Sequence, residues 1–137
     1  MQHARKESHS RRGIKVPVHK LNPVLQIGDY IITSGVSPKD FVTNEWAVGM
    51  HDQALMCLKN IQTILETAGA TLEDLISIEV YINDVRWYKE FNDVWNEFFA
   101  DVKCPPTRST FQLGLLAPNM HIEMRAYAVK NTKYVEE

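Results

Sequence analysis

Residues 76–83 read ISIEVYIN, and the reading of this stretch decides the fold. Ile76, Ile78, Val80 and Ile82 alternate with Ser77, Glu79, Tyr81 and Asn83. A strict period of two over this length predicts a strand with one buried face. The period changes on either side of it. Upstream, Leu55, Leu58, Ile61, Leu65 and Ala68 recur at spacings of three and four. That is an amphipathic helix starting near Ala47. Gly69 ends it, because glycine turns left-handed past a last helical turn at little cost. Thr71, Leu72, Glu73 and Asp74 predict one capped turn before the strand. Downstream, Asn83 and Asp84 turn the chain, and Asp84 is placed to cap a second helix. Trp87, Phe91, Val94, Trp95, Phe98 and Phe99 form that helix's aromatic stripe, expected to pack on a sheet.

Further out, residues 24–35 (VLQIGDYIITSG) hold two apolar runs about Gly28-Asp29, a tight hairpin. Gly35, Ser37 and Pro38 open a loop before the first helix. Pro105-Pro106 stops the second helix locally. Strands are expected near residues 108–113 and 121–129. In the last, Ile122, Met124, Ala126 and Ala128 face one way, and His121, Glu123, Arg125 and Tyr127 the other. The order is hairpin, helix, strand, helix, two strands, an α+β fold. Two helices cover one face of such a sheet, so the other meets water or another subunit.

The chain has 137 residues, about one domain, and 45% hydrophobic residues supply a core. A net charge of -2 creates no field that favours nucleic acid or an acidic membrane. There is no apolar run long enough to span a bilayer and no apolar signal-peptide core. Cys57 and Cys104 are too few for a disulfide framework. The expectation is a cytoplasmic protein with free thiols, Cys57 lying in the core. Residues 1–20 form a basic leader, with Arg5, Lys6, Arg11, Arg12, Lys15 and Lys20 against Glu7. It reads as a flexible, solvated tail, the other reading being an arm that binds phosphate or a neighbouring subunit. Residues 21–137 then form the single domain.

Standard catalytic signals are absent: no Gly-rich phosphate loop, no G-x-S-x-G and no H-E-x-x-H. His3, His9, His19, His51 and His121 lack metal-ligand spacing, so no metal is expected. Three residues are candidates on their own chemistry. Arg108, after Pro-Pro-Thr, either holds a carboxylate through two parallel hydrogen bonds or pairs with a surface acid. Glu123 is either a general base for water or a solvated strand residue. Asn92, beside Phe91, is either a site residue or a polar residue at the helix edge.

The run PTRSTFQLGLLAPNMHIEM (residues 106–124) resembles the signature of the RidA/YjgF family. It opens with Pro106-Thr107-Arg108-Ser109 and closes with Ile122-Glu123-Met124. Upstream, IITSG, DQALMCLKNIQTILETAG and LEDLISIEVYINDVRWYKEFNDVWNEFF resemble the family's early strand, first helix, and strand with second helix. The likeness runs from about Val24 to Lys130. It implies a chorismate-mutase-like mixed sheet with two helices on one face, and a homotrimer whose sheets line a barrel with clefts between subunits. It implies cofactor-free hydrolysis of carboxylate-bearing enamines and imines, such as 2-aminoacrylate, to 2-keto acids and ammonia. On this resemblance Arg108 clamps the substrate carboxylate and Glu123 activates water. Asn92 and Ser34 shape the cleft, Gly35 allows close approach, and the backbone at Ser109 and Thr110 meets the substrate nitrogen or water. An imine carbon is already electrophilic, so orientation and one base suffice.

The chain departs from the family pattern at three places. No tyrosine stands near residues 19–21, Thr110 replaces a frequent cysteine, and Arg125 replaces a frequent second glutamate. Arg125 either binds a second acidic group of the substrate or pairs with Glu123. A pathway-specific enzyme similar to the 2-aminomuconate deaminases is therefore an alternative, as is a non-enzymatic trimer that binds small ligands. RNA binding or cleavage, attributed to some family members, has only the basic leader in its favour.

Overall fold

The computed structural model describes residues 4–9 and 19–135. Six strands and two helices follow in the order β1 (Lys6–Ser8), β2 (Val24–Ile27), β3 (Tyr30–Thr33), α1 (Met50–Thr67), β4 (Leu75–Ile82), α2 (Tyr88–Phe98), β5 (Thr107–Gln112) and β6 (Ile122–Val129). The strands form one sheet in the order β1-β2-β3-β6-β4-β5. The β4–β5 pair is parallel and the other pairs are antiparallel, so the sheet is mixed, with two helices, as expected.

Both helices cover one face. Ile31, Ile78, Val80, Ile82, Ile122, Met124, Ala126 and Ala128 are buried there against Leu58, Ile61 and Leu65 of α1 and Phe91, Val94 and Trp95 of α2. The aromatic stripe is thus core, in which Phe91, Trp95 and Phe99 meet ring against ring. Gly69, at φ +79°, makes the left-handed turn after α1. Asp84 accepts a hydrogen bond from the Arg86 backbone N–H and starts a short 3-10 turn that leads into α2. Thr71 and Asp74 bond reciprocally as a capping box.

Two expectations change. Ile76 does not share the buried face with Ile78. Leu75 faces Ala128 and Ser77 faces Tyr127, so β4 bulges at Ile76, which is 41% exposed. The inserted residue turns the side chain outward and leaves Leu75 inside in its place. The leader is also not tail throughout. Lys6–Ser8 pair with β2, Glu7 opposite Gln26, and add an edge strand. Three residues are too short for a period to show, and what places them is backbone pairing with the open edge of β2. Residues 1–3 and 10–18 of the leader lie outside the described residues. No helix among the described residues is long and apolar enough to cross a membrane.

The bulge gives a direct test. Ile78→Ala, at a fully buried position on β4, is expected to cost about 2–5 kcal/mol in urea unfolding. Ile76→Ala, two residues away, should cost under about 1 kcal/mol. Equal losses at the two positions would refute the bulge.

Candidate functional site

The sheet divides the candidate residues into two groups on opposite faces. In the parallel β4–β5 register, Arg108 lies beside Ile78 and Thr110 beside Val80, so both point to the helix side. The Arg108 guanidinium sits over the rings of Phe91, Trp95 and Tyr88, at 4.8, 4.9 and 5.8 Å. Its Nη2 donates to Tyr88 Oη at 3.2 Å. Among the described residues no carboxylate pairs with it, so the surface ion-pair reading fails. Helical spacing puts half-buried Asn92 one turn past Tyr88, on the side of α2 that bears Phe91 and Trp95. Thr110 Oγ1 is buried without a hydrogen-bond partner. Arg108, Thr110, Tyr88, Ile82, Val85 and Phe111 line a concavity of about 280 Å³. Ser109, paired with Glu79, turns to the other face.

The second group surrounds Glu123 on the face away from the helices. Between the pairs Ile32–Tyr127 and Val36–Met124, four steps along one strand oppose three along the other. This bulge lays Gly35 against Glu123. A Cβ on Gly35 would overlap Glu123 Oε1 and lie 2.9 Å from its Cδ, so any larger residue here would push the Glu123 carboxylate out of its present position. Ser34 adjoins it, but its hydroxyl donates to the Asn22 carbonyl at 2.6 Å and ties the chain entering β2. Glu123 accepts no hydrogen bond and forms no ion pair among the described residues. Burial raises its carboxyl above the ordinary carboxylate value. It lies in a cleft of about 320 Å³ with Tyr81, Leu113, Gly114, Leu115 and Leu116. Beneath it, Cys57 is buried and donates to the Val36 carbonyl at 3.4 Å. Desolvation and the Glu123 charge hold its thiol well above its usual value, so it stays an un-ionised core residue.

Arg125 belongs to neither group. Its Nε donates to the Thr33 carbonyl at 3.0 Å and its guanidinium lies 5.4 Å from the Tyr127 ring centre. Glu79 stands opposite it and accepts short hydrogen bonds from the hydroxyls of Tyr127 and Tyr81. These bonds lower the Glu79 carboxyl and push Tyr81 up to about 12. The Arg125–Glu123 pair, one of the two readings of Arg125, is not formed among the described residues, because Arg125 is held along the sheet, toward β3 and β4. Sequence reasoning missed Tyr88 and the Leu113–Leu116 cleft wall. Tyr88 stood three and four residues before Phe91 and Asn92, a spacing that would have found it. No group of three His, Cys, Asp or Glu among the described residues is arranged to hold a metal.

A family model described as Endoribonuclease L-PSP matches residues 14–130. The chain belongs to this family, known also as RidA/YjgF. A RutC family protein of Aquifex aeolicus is 30% identical over 115 residues, covering 84% of this chain and 92% of that protein. TdcF of Escherichia coli, whose name contains the words reactive intermediate deaminase, is 32% identical over 108 residues, covering 78% of this chain and 84% of its own. The crystal structure of TdcF with bound serine superposes with a TM-score of 0.79 at 29% identity, over 84% of this chain and 91% of that one. The YjgF gene product of E. coli superposes at 0.83 with 26% identity, over 90% and 98%.

The raised Glu123 carboxyl fixes a pH dependence. The folded state binds this proton more tightly than the unfolded chain does, so stability falls as pH rises through the folded value. Glu123→Gln removes that loss. Its thermal midpoint should exceed the wild type's at pH 7, and the gain should shrink at pH 4, where both side chains are neutral. A midpoint below the wild type's at pH 7 would contradict the desolvated carboxylate.

Proposed function

We propose that this protein hydrolyses the C=N bond of small reactive imines and enamines bearing a carboxylate, giving a 2-keto acid and ammonia. The observation that carries the reading is Glu123, a carboxylate without a partner among the described residues, whose proton affinity is raised by burial in an apolar cleft. The guanidinium of Arg108, without an acidic partner among the described residues and fixed on an aromatic bed, supports it. TdcF adds support, through the words in its name and the serine in its crystal structure, since serine carries a carboxylate beside a nitrogen-bearing carbon.

In this reading Arg108 binds the substrate carboxylate bidentately. Glu123 takes a proton from water as the oxygen attacks the protonated imine carbon. The C–O bond forms as the C=N π electrons return to nitrogen. Protonated Glu123 then gives its proton to that nitrogen, and its carboxylate takes the hydroxyl proton as the oxygen lone pair forms C=O and the C–N bond breaks; ammonia leaves the keto acid and Glu123 releases its proton to solvent. On the family likeness Asn92 and Ser34 shape the cleft, Gly35 allows close approach, and the backbone at Ser109 and Thr110 meets the substrate nitrogen or water.

Arg108 and Glu123 lie on opposite faces of the sheet, with β4 between their strands. One chain does not bring them to one substrate. We infer that the site forms between copies of the chain in a homotrimer, Arg108 from one subunit meeting Glu123 of the next. The face away from the helices, with Ile27, Tyr30 and Phe111 exposed, suits such burial. The diacid reading gains little, since Arg125 is engaged by Thr33 and Tyr127 and already stands opposite Glu79. The RNA reading is opposed by two glutamates on that face and the net charge of -2.

Ammonia release from 2-aminoacrylate generated in situ tests this. Glu123→Gln should lower kcat by about 10²–10⁴, and Arg108→Ala should raise KM by at least about tenfold. Refolding the two variants together and assaying well below the raised KM should recover about a quarter of wild-type turnover, because random assembly pairs intact halves at that frequency. No turnover by wild type would sink the deaminase reading, and no recovery on mixing would sink the shared site.

A further inference from the structure

The Arg108 concavity holds more donors than a guanidinium needs for support. Arg108 Nη2 donates to the Tyr88 hydroxyl at 3.2 Å. A phenol that accepts from arginine keeps its own proton to give. Tyr88 is 42% exposed, at the mouth of the concavity, and its hydroxyl donates to nothing among the described residues. Two residues along the strand from Arg108, on the same face, Thr110 Oγ1 is buried with no partner. An orphaned buried hydroxyl is costly, and a water or a ligand oxygen would answer it. Gln112 is not a third free group, since its Oε1 accepts from the Val85 backbone N–H at 2.5 Å and pins the opposite wall. Ile82, Val85 and Phe111 supply the apolar remainder.

We propose that Tyr88 is a second carboxylate-binding residue of this site, relaying from Arg108 to one substrate oxygen while Thr110 Oγ1 donates to the other. The inference rests on reading Arg108 as a carboxylate clamp. It goes further in naming the specificity: the concavity accepts a small 2-keto or 2-imino carboxylate and rejects the matching amide. Arg108 and the Tyr88 O–H present donors only, and the Tyr88 lone pair facing the guanidinium is taken. A carboxamide would turn its N–H₂ toward these donors and leave at least one unanswered. Phe91 and Trp95 hold the guanidinium plane in place, so the phenol meets a fixed partner.

The test uses the full chain, with pyruvate and pyruvamide as ligands in calorimetric titration. Tyr88→Phe, which keeps the ring, should weaken pyruvate binding about tenfold and leave the weaker pyruvamide binding unchanged. Thr110→Val should weaken pyruvate binding in the same way. In turnover, Tyr88→Phe should raise KM by the same factor with kcat within about twofold. A phenylalanine variant that binds pyruvate as wild type does overturns the proposal. So does an equal loss for acid and amide, which would mark a merely loosened pocket, or no pyruvate binding by wild type. If no imine is turned over yet the acid-specific loss is seen, the deaminase reading falls and the carboxylate site stands.

Discussion

The insertion of β6 between β3 and β4 is the constraint on which the molecule depends. It joins the amino-terminal hairpin to the β4–β5 pair, and its strict alternation assigns every neighbour a face. Ile122, Met124, Ala126 and Ala128 are buried under the helices, and Glu123, Arg125 and Tyr127 are turned away from them. A one-residue slip would exchange these sets and put two charges into the apolar layer. Burial of the inward set therefore fixes the register, and the register fixes where Glu123 stands.

Electrostatics of the two candidate groups follow from that partition. Arg108 lies at the edge strand, and its charge rests on π faces rather than on an acid, which leaves its hydrogen-bonding edge available. Glu123 lies over the bulge at Gly35, where loop and strand exclude much of its water without offering a donor. Nearby Glu79 shows the contrast. On the same face it receives two tyrosine hydroxyls, and its carboxyl shifts the opposite way. Two carboxylates on one sheet face thus differ because one is hydrogen-bonded and the other only desolvated.

Much of this was legible in the sequence. The period of two in residues 76–83, the helical spacing of Leu58, Ile61 and Leu65, and the turns at Gly28 and Gly69 all correspond to observed elements. These features are local and report their own geometry. The bulge at Ile76 was not legible, because an inserted residue has no composition of its own and exists only relative to β6. The strand at Lys6–Ser8 was hidden for the same reason. At the site, residue chemistry picked out Arg108 and Glu123 and the resemblance gave them roles, but neither showed that they occupy opposite faces. That follows from the register, which sets Arg108 beside Ile78 and Glu123 beside Tyr81, a property of the assembled sheet. The partners of Arg125 likewise come from β3 and β4, far away in sequence.

The strand order also bears on how the chain is made. β6, central in space, follows the five other strands in sequence. During synthesis β3 and β4 must wait with unpaired edges until residues 122–129 leave the ribosome. Neither the hairpin nor the β4–β5 pair can settle into the shared core before then. Folding is thus deferred and rate-limited by distant contacts, and a nascent chain stalled upstream of β6 presents two sticky edges to its surroundings.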